Sequence, residues 1–568
     1  MHPDHERSLL DRVKLAIARA HAGRHTRRFY AAVKNARAVQ DRLFRDLITD
    51  NPGGDYPERL GLTSFRHYDD FARGVPIQRY ADVAPFIERV RRGEITAMFP
   101  RGQRVLMFAL TSGTTAEPKY IPITPTVLKD WQTGWNVWGL QALSDHFGCF
   151  LRGIVQITSP MNDHAAPSGV PCGAITGLLA STQKRLVRQY YTAPLPVADI
   201  RDATAKYYTI MRLSMWRDVS FLVTASPATL ILLARTADQH RQQLIRDIHD
   251  GTLWADLPVP PAVRAALAPR FWAQPEIARR LDALADQNGC LYPKHYWRLG
   301  FLAHWTGGTM GLYGPQLPRY FGDVPSRDIG LLASEGRMSI PVADGTASGI
   351  LNVRAHFFEF IPAEDYGSAR PRTVRMHEVE VGREYFLLLT NASGLYRYDL
   401  GDRVRVTGFH GQAPLIEFLS RDAHTASLTG EKLTENQVVL AMQAVCRDST
   451  ASRPDPAAET QILVDFVLAP RFDETPYYRL YVEQTAAAQF ARLAERLDAA
   501  LAAINVEYAG KRDSGRLGPV RLAVLPDGQL ADRDRRLKEA RSRTGEQFKH
   551  QYLQPRPGLD GDLEARSG

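Results

Sequence analysis

The sequence predicts an α/β protein with a large N-terminal domain and a small α+β domain at its C-terminus. The chain has 568 residues, more than one compact core usually holds, so we expect at least two domains. Apolar strand-like runs alternate with helical stretches over residues 1–420, which is typical of α/β proteins with much parallel sheet. The pattern of predicted helices and strands changes near Arg421, where we place the domain boundary.

The N-terminal elements follow from the spacing of their apolar residues. Helical periodicity predicts one or two amphipathic helices over 6–50 and further helices over 81–95, 130–143 and 227–249. Short apolar runs predict strands at 104–110, 153–158, 220–226 and 385–390. In the stretch 350–362, apolar and polar side chains alternate in the way that is typical of an antiparallel strand.

The C-terminal part mixes helices and strands in an order that suits a small α+β domain. The pattern predicts a helix, two strands, an alanine-rich helix, a strand and a basic terminal helix, the first five at 434–446, 461–468, 477–483, 485–503 and 519–525. The last residues, 556–568, predict a disordered tail. The domains therefore run over 1–420 and 434–555, with 421–433 as their connection.

Composition excludes several classes of protein. The chain is 44% hydrophobic and 23% charged, as soluble globular proteins are. Its net charge of +9 is spread along the sequence, and the densest arginine stretch has apolar residues at helical spacing, so we expect no nucleic-acid partner. Because no apolar run reaches membrane-spanning length, we expect no membrane partner either.

Cysteine and histidine spacing gives no sign of a metal site or a disulfide framework. The four cysteines lie far apart without a CxxC pair, and the 16 histidines show no HExxH spacing. The N-terminus is of mixed charge and lacks the apolar segment of a signal peptide. We therefore expect a reduced, cytoplasmic protein. Its oligomeric state is open, with a monomer as the expectation.

The stretch TSGTTAEPK, residues 111–119, places small hydroxyl residues and a glycine directly after a predicted strand. Such a turn exposes backbone N–H groups that bind phosphate oxygens, and Lys119 adds a cation near the same anion. GxxxxGK[ST], GxGxxG and GxSxG patterns are all absent from the sequence. The alternative is a hairpin loop whose threonines have no binding role, and the stretch alone does not decide.

Three later stretches each place a polar residue where a nucleotide needs one. In LLASEGRMS, Glu335 could hold Mg²⁺ beside a triphosphate, although a glutamate near a helix N-terminus is the simpler explanation of this stretch alone. In GLYRYDLGDRVRV, Asp402 could accept hydrogen bonds from ribose hydroxyls or be a turn aspartate. In SRDAHTASLTGEKL, Arg421 could hold ribose or phosphate, or lie on the surface.

Together and in this order, these motifs resemble those of the adenylate-forming superfamily, which contains acyl-CoA synthetases and peptide-synthetase adenylation domains. The closer resemblance is to the plant auxin-responsive acyl acid–amido synthetases. It covers about residues 35–555 and includes WTGGTMGLYGPQLPRYF before the glutamate motif, HFFEFIP after it, YRYDLGDRVRVTGF, and GEQFKHQYLQP near the C-terminus. Each motif alone is weak, but their joint occurrence is specific.

The resemblance implies a partly barrel-like sheet in the N-terminal domain and a mobile C-terminal lid that turns about the hinge at 421–433. It implies that ATP and a carboxylic acid form an acyl-AMP and pyrophosphate, after which the amine of an amino acid takes the acyl group. The implied catalytic residues are Lys119, Glu335 and Lys549, with Glu335 as the Mg²⁺ ligand. The implied nucleotide-binding residues are Thr111, Ser112, Gly113, Thr114, Thr115, Ala333, Ser334, Tyr398, Asp402 and Arg421.

The acyl pocket is expected between the phosphate loop and the glutamate motif. Trp131, Trp135 and Trp138 share one helical face and would line it, although a buried packing face is the favoured explanation. Met310 and Tyr313 are further candidates by their position in the sequence.

The chain departs from the plant pattern at several positions. AEP follows the hydroxyl loop where the family has a glycine, and LLASEG is found where the family has Tyr-Ala-Ser-Ser-Glu. Asp399 occupies the position of a basic residue of the family. Lys549 is not followed by the proline and arginine of the family motif. Two alternatives remain open. One is an acyl-CoA ligase with the same adenylation step, and the other is a non-catalytic acyl-nucleotide binding protein, which the intact Lys119, Glu335 and Asp402 disfavour.

Overall fold

The helices lie mostly in the N-terminal two thirds of the chain. The structure, a computed structural model, describes residues 9–50, 53–111, 119–149, 151–421, 425–426, 428, 431, 433–450, 465–473, 475–513, 515, 517–541 and 550–564. The α-helices of these residues are α1 Leu9–Lys34, α2 Ala36–Arg45, α3 Asp55–Arg59, α4 Tyr68–Gly74, α5 Tyr80–Arg91, α6 Pro125–Asp145, α7 Ile175–Ser181, α8 Arg185–Arg188, α9 Ala203–Ser214, α10 Pro227–Gln239, α11 Arg241–Asp250, α12 Pro261–Leu267, α13 Pro275–Asn288, α14 Pro293–Tyr296, α15 Leu317–Phe321, α16 Glu435–Thr450, α17 Gln484–Gln489, α18 Leu493–Ile504, α19 Val506–Asp513, α20 Gln529–Arg541 and α21 Gly561–Glu564.

The strands are short apart from three in the middle of the chain. They are β1 Met107–Thr111, β2 Lys119–Ile123, β3 Gly153–Gln156, β4 His164–Ala165, β5 Pro171–Gly173, β6 Val219–Val223, β7 Phe301–Ala303, β8 Ser326–Arg327, β9 Leu332–Ala333, β10 Gly336–Arg337, β11 Ser339–Ile340, β12 Gly349–Leu351, β13 Phe357–Pro362, β14 Val374–Arg375, β15 Glu384–Asn391, β16 Leu395–His410, β17 Ala413–Arg421, β18 Thr425–Ala426, β19 Leu433–Thr434, β20 Val467–Arg471, β21 Tyr477–Glu483 and β22 Arg521–Leu525.

A parallel sheet in the order β3-β6-β7-β8 organises the α/β part of the chain. Helices α9, α10, α11 and α13 contribute to the apolar core around it. The carboxyl ends of its strands lead into the segments 157–161, 224–226, 304–310 and 328–331. Ligands of open α/β sheets bind in the crevice outside these strand ends, so this edge is where a site is expected.

The largest sheet is antiparallel throughout, in the order β11-β12-β17-β16-β15-β13-β14. The structure confirms the predicted mixed α/β class with a large N-terminal and a smaller C-terminal domain. It corrects the amount of parallel sheet, because the predicted strand at 385–390 belongs to this antiparallel sheet as β15. Strand β15 is buried almost throughout, so its continuous apolar run carries no alternation that would reveal antiparallel pairing.

The C-terminal domain has a core of its own around a sheet in the order β20-β21-β22. The predicted alanine-rich helix over 485–503 is divided into α17 and α18, and Arg492 between them has a positive φ of 56°. The predicted disorder of the tail is wrong for residues 556–564. Asp560 is fully buried there and forms an ion pair with Arg471 at 2.8 Å, a contact that composition cannot reveal. Residues 565–568 lie outside the described residues.

Candidate active site

The hydroxyl-rich loop joins two paired strands. Strands β1 and β2 are antiparallel, and Thr111 at the end of β1 is the cross-strand partner of Lys119 at the start of β2. Lys119 Nζ lies 5.6 Å from the centre of the Tyr80 ring, and the Tyr80 hydroxyl accepts a hydrogen bond from the backbone of Tyr120 at 2.8 Å. Ser112, Gly113, Thr114 and Thr115 lie outside the described residues, as does the Thr111 side chain. The strands nevertheless fix both ends of the loop.

Glu335 lies in a tight turn that is bonded directly to the strand before this loop. Ala333 in β9 pairs with Gly336 in β10, so Ser334 and Glu335 form the two-residue turn of a hairpin. The Ser334 hydroxyl donates a hydrogen bond to the Leu110 carbonyl at 3.1 Å. The predicted alternative, a glutamate at a helix N-terminus, is therefore wrong, because β9 and β10 are strands.

The Glu335 turn is also held from its other side. The Asn391 side-chain amide donates a hydrogen bond to the Glu335 carbonyl at 2.7 Å, and the side-chain oxygen of Asn391 accepts one from the Ser393 backbone at 2.9 Å. Glu335 is only 6% exposed. A carboxylate held by its backbone from two directions is fixed in position before any ligand arrives, which is what electrostatic catalysis requires.

The residues around Glu335 fit magnesium better than a metal with a complete protein cage. Among the described residues, no three His, Cys, Asp or Glu side chains form a cluster that could hold a metal ion. Magnesium typically takes one or two protein carboxylates and completes its shell with water and substrate phosphates. A single rigid carboxylate beside a candidate phosphate loop is the donor set that such binding needs.

Asp402 and Arg421, predicted from two separate motifs, are cross-strand partners. Asp402 lies in β16 and Arg421 ends β17, and their Cα atoms are paired in the antiparallel register. Asp402 is fully buried. Only the backbone of Arg421 is described. The pairing places the two residues together, as binding of one ribose would require.

A pocket opens beside Asp402, at the carboxyl ends of β7 and β8. It is lined by Trp305, Gly307, Met310, Asp328, Gly330, Leu331, Leu332, Ala347, Asp402 and Phe418. Gly308 has φ +56°, and a Cβ there would lie 2.9 Å from the Leu419 carbonyl oxygen. This glycine therefore lets the segment after β7 approach β17 closely enough to form one wall.

The buried carboxylate on the sheet side of this pocket is Asp328. One of its oxygens accepts hydrogen bonds from the Thr306 backbone and hydroxyl, at 2.6 and 2.9 Å, and the other accepts one from the Gly330 backbone at 2.6 Å. Burial raises the pKa of Asp328, and these hydrogen bonds oppose the rise. The carboxylate therefore links the segment that follows β7 to the segment that follows β8.

Not all predicted site residues come together. Met310 and Asp402 line the pocket, whereas Tyr398 is 1% exposed within the principal hydrophobic core. Ala333 is half-buried in β9 against the same core. Tyr313 lies outside the pocket wall, and its hydroxyl is 3.5 Å from that of Tyr552 in the C-terminal domain. Tyr313 lies three residues after Met310 in the 3₁₀-helix Gly308–Gln316, and its role in substrate binding stays a prediction.

The tryptophan stripe on α6 is mainly a packing face, as the favoured explanation held. Trp131 and Trp138 are each 3% exposed in the core. Trp135 is half-buried, and the guanidinium of Arg337 lies 4.5 Å from the centre of its ring. Burial lowers the pKa of Arg337 to about 9, so it remains charged at neutral pH. Of the two tryptophans predicted to bind substrate, only Trp135 keeps accessible surface of note.

Sequence reasoning missed four residues of the site: Trp305, Asp328, Phe418 and Asn391. The first two follow β7 and β8 directly, and polar or aromatic residues after parallel strands are a usable signal once the sheet is recognised. Phe418 is hidden within a strand of alternating pattern, and Asn391 ends the apolar run of β15. Nothing in their local sequence distinguishes them from ordinary strand residues.

Known proteins of one family are similar to this chain over most of its length. Models of the GH3 family N-terminal, central and C-terminal domains match residues 25–326, 349–421 and 437–557. The jasmonoyl–L-amino acid synthetase JAR4 of Nicotiana attenuata is 25% identical over 88% of both chains. The indole-3-acetic acid-amido synthetase GH3.8 of Oryza sativa subsp. indica is 26% identical over 75% of this chain and 72% of its own.

The fold is that of a solved member of this group. The structure of the AtGH3.15 acyl acid amido synthetase in complex with 2,4-DB matches with a TM-score of 0.80 and 20% identity, over 96% of both chains. None of the described helices of the present chain combines the length and the apolarity that crossing a bilayer requires.

Proposed function

The chain belongs to the GH3 family, and we propose that it is an ATP-dependent acyl acid–amido synthetase. The observation that carries the proposal is the β9–β10 hairpin. Leu332 in this hairpin lines the pocket with Asp402, while Ser334 is hydrogen-bonded to the strand that enters the hydroxyl-rich loop. One element thus connects the pocket, which we assign to a nucleoside, with the strand that enters the loop, which we assign to phosphates.

The pocket suits the nucleoside of ATP. Trp305, Met310 and Phe418 supply flat or adaptable apolar surface for a purine ring, and Asp402 supplies carboxylate oxygens for ribose hydroxyls. Arg421 is the proposed second contact on the ribose side. The triphosphate would extend towards Lys119 and the loop residues 111–115, whose backbone N–H groups and hydroxyls are the proposed donors.

The first half-reaction is attack of a substrate carboxylate oxygen on the α-phosphorus of ATP. The new P–O bond gives acyl-AMP as the bond to the departing pyrophosphate breaks. Lys119 and the loop stabilise the negative charge on the phosphates, and Glu335 would hold Mg²⁺, which supplies further positive charge there when bound. Lys549, outside the described residues, remains the proposed lysine from the C-terminal domain.

The second half-reaction is attack of an amino-acid nitrogen on the acyl carbon. The C–N bond forms, the bond to AMP breaks, and the nitrogen loses a proton. We further propose that the C-terminal domain turns about residues 421–433 between the two steps. A monomeric cytoplasmic enzyme remains our expectation.

The test is pyrophosphate release from ATP and Mg²⁺ over a panel of aryl, indolyl and fatty acids, with hydroxylamine as the acceptor. Acid-dependent pyrophosphate together with a hydroxamate supports adenylation. Replacing hydroxylamine by 20 amino acids or by CoA then identifies the acceptor. An amide product supports the proposal, a thioester favours the acyl-CoA ligase, and ATP binding without turnover on any acid favours the non-catalytic alternative.

A further inference from the structure

Gly336, the residue after Glu335, is packed against the ring of a buried histidine. The ring belongs to His356, which directly precedes β13 and is 2% exposed. A Cβ at position 336 would lie 2.4 Å from both Cε1 and Nε2 of this ring. The φ of Gly336 is not in the left-handed region, so the ring, and not the backbone conformation, excludes a side chain here. The turn that carries Glu335 thus lies directly against His356.

The backbone on both sides of this histidine is held by one side-chain amide. The amide nitrogen of Gln40 donates hydrogen bonds to the Val353 and His356 carbonyls, at 2.6 and 2.8 Å. The side-chain oxygen of Gln40 accepts a hydrogen bond from the Phe358 backbone at 3.0 Å, and the Phe358 ring meets that of His356 edge-on. Gln40 lies in α2 and is 4% exposed. A buried ring on so firmly held a backbone is a rigid contact surface for the turn.

The ring contacts the turn through its shape rather than through a charge. Burial lowers the pKa of His356 to about 4, so the ring is neutral at neutral pH. Neither ring nitrogen forms a hydrogen bond of normal geometry with a described residue, although the nearby Arg337 backbone opposes the fall in pKa. The histidine therefore acts on Gly336 by van der Waals contact.

His356 and Asn391 hold the turn from the same end of the largest sheet. His356 precedes the first residue of β13, and Asn391 ends β15, the antiparallel strand paired with it. The Asn391 amide donates its hydrogen bond to the Glu335 carbonyl, while the His356 ring packs on the next residue, Gly336. The peptide group that joins Glu335 to Gly336 is therefore held by two neighbouring residues of one sheet.

We propose that His356 is a positioning residue for Glu335, and that glycine is required at 336 because the ring occupies the place of a Cβ. This inference rests on the proposed function, in which Glu335 holds Mg²⁺ beside the triphosphate. By fixing the backbone of Gly336, the ring limits the positions that the Glu335 carboxylate can take before the metal arrives. Such preorganisation lowers the cost of reorganising the site during the reaction.

The test adds a methyl group at position 336 and then makes room for it. An ordinary carbon–carbon contact is about 3.5 Å, so in Gly336→Ala the ring and the turn must part by about 1 Å. A misplacement of that size lowers the rate by about 100-fold, and kcat/KM for pyrophosphate release should fall accordingly. Gly336→Ala combined with His356→Ala should recover about tenfold, a coupling typical of residues in contact. Gly139→Ala, in α6 where a Cβ would have no described neighbour within 4 Å, should keep the wild-type rate.

ATP binding provides a readout that a merely structural role would not change. The Kd of ATP in EDTA divided by the Kd in Mg²⁺, both from calorimetry, reports how well the site holds the metal. This ratio should fall towards one in Gly336→Ala and in His356→Ala, with the Kd in EDTA unchanged, and the double variant should recover part of it.

The outcomes separate this role from the proposed function. A Gly336→Ala protein that loses stability in urea but keeps the wild-type ratio would refute the positioning role, because the ring and not the turn has then moved. If Gly336→Ala does not fold, the ratio in His356→Ala decides, and a wild-type value there would refute the role equally. A wild type that binds ATP more tightly with Mg²⁺ but adenylates no acid of the panel would instead refute the proposed function.

Discussion

The Ser334 hydroxyl donates a hydrogen bond to the Leu110 carbonyl across 224 positions of sequence. Leu110 is the last residue before Thr111, where the hydroxyl-rich loop begins, and Ser334 directly precedes Glu335. Two motifs that the sequence presents as separate signals are therefore one structural unit. This bond holds the turn that carries Glu335 against the end of β1.

Replacing Ser334 by alanine should loosen this unit without unfolding the protein. We expect the free energy of unfolding to fall by about 1 kcal/mol, the usual worth of one hydrogen bond. The rate of pyrophosphate release should fall by about tenfold, since small misplacements of catalytic groups are costly. Ser348→Ala removes an exposed hydroxyl contact with Thr407 and is the control. Equal rates for the two variants would show that the bond does not position Glu335.

Replacing Glu335 by glutamine tests the magnesium assignment. The amide keeps the size of the side chain and removes its charge, so pyrophosphate release should fall by about 100-fold or more. The Mg²⁺ concentration for half-maximal rate should rise, whereas ATP binding measured in EDTA should stay unchanged. Glu276→Gln, at an exposed position on α13, should match the wild type in all three measurements. An unaltered Mg²⁺ dependence in Glu335→Gln would reject the metal role.

Replacing Asp402 by asparagine tests the ribose contact. The Kd of ATP should rise by about 10- to 100-fold, because a charged acceptor of two hydroxyl donors becomes a weaker neutral one. The wild type should lose affinity for 2′-deoxy-ATP and 3′-deoxy-ATP, whereas Asp402→Asn should bind all three nucleotides alike. Asp282→Asn, on the exposed face of α13, is the control. A variant that still discriminates against both deoxynucleotides would place the ribose elsewhere.

Sequence reasoning proposes a chemical role where that role depends on a short, contiguous motif. Lys119, Glu335 and Asp402 were each predicted from residue type and neighbours, and their roles stay predictions. It could not foresee which of the predicted side chains are buried. Tyr398 and Trp131 lie in the core. The periodicity of a strand or helix shows which side chains share a face, but it does not show what packs against that face.

Charged residues in the core were the least predictable part of the structure. Arg337 and Arg397 look like surface arginines in the sequence, yet they are 1% and 4% exposed. The burial of Arg397 depends on a partner that is distant in the chain, Glu359. The same holds for Asp560 in the tail. Local composition carries no information about such pairs, whose net stability depends on geometry.

Replacing Arg397 by methionine should strongly destabilise the protein. Arg397 has a left-handed φ of 45°, and its guanidinium bonds Glu359 at 3.0 and 3.1 Å and the carbonyls of Ala72 and Val75 at 2.6 Å each. Methionine would leave the Glu359 carboxylate charged and buried, so urea denaturation should show a loss of about 3–5 kcal/mol.

Two further variants separate the charge from the packing. Arg397→Met combined with Glu359→Leu removes both charges and should recover a large part of the loss. Arg383→Met, at an exposed arginine with carboxylate partners, should change the free energy of unfolding by less than about 1 kcal/mol. A loss in Arg397→Met no larger than that in Arg383→Met would contradict the buried-pair argument.

His550 should make the stability of the C-terminal domain depend on pH. Burial alone would lower the pKa of His550, but the hydrogen bond to Asp534 at 2.7 Å and the nearby Asp465 outweigh burial and raise it from 6.5 to about 8. Its other ring nitrogen faces the Phe466 carbonyl at 2.8 Å, so both nitrogens donate and the ring is charged.

Proton linkage determines whether this pair stabilises the protein at low or at high pH. Below pH 6.5 the folded and unfolded states both carry the proton and the stabilisation is complete, whereas between pH 6.5 and 8 only the folded state keeps it. The pair should therefore lose about 2 kcal/mol of stability as the pH rises from 6 to 9. Urea denaturation of wild type and His550→Gln at pH 6, 7.5 and 9 measures this difference. His249→Gln, which removes an exposed histidine beside Asp250, should keep the wild-type slope. Identical slopes in His550→Gln and wild type would mean that His550 is neutral in the folded protein, and that Asp534 serves only as its hydrogen-bond acceptor.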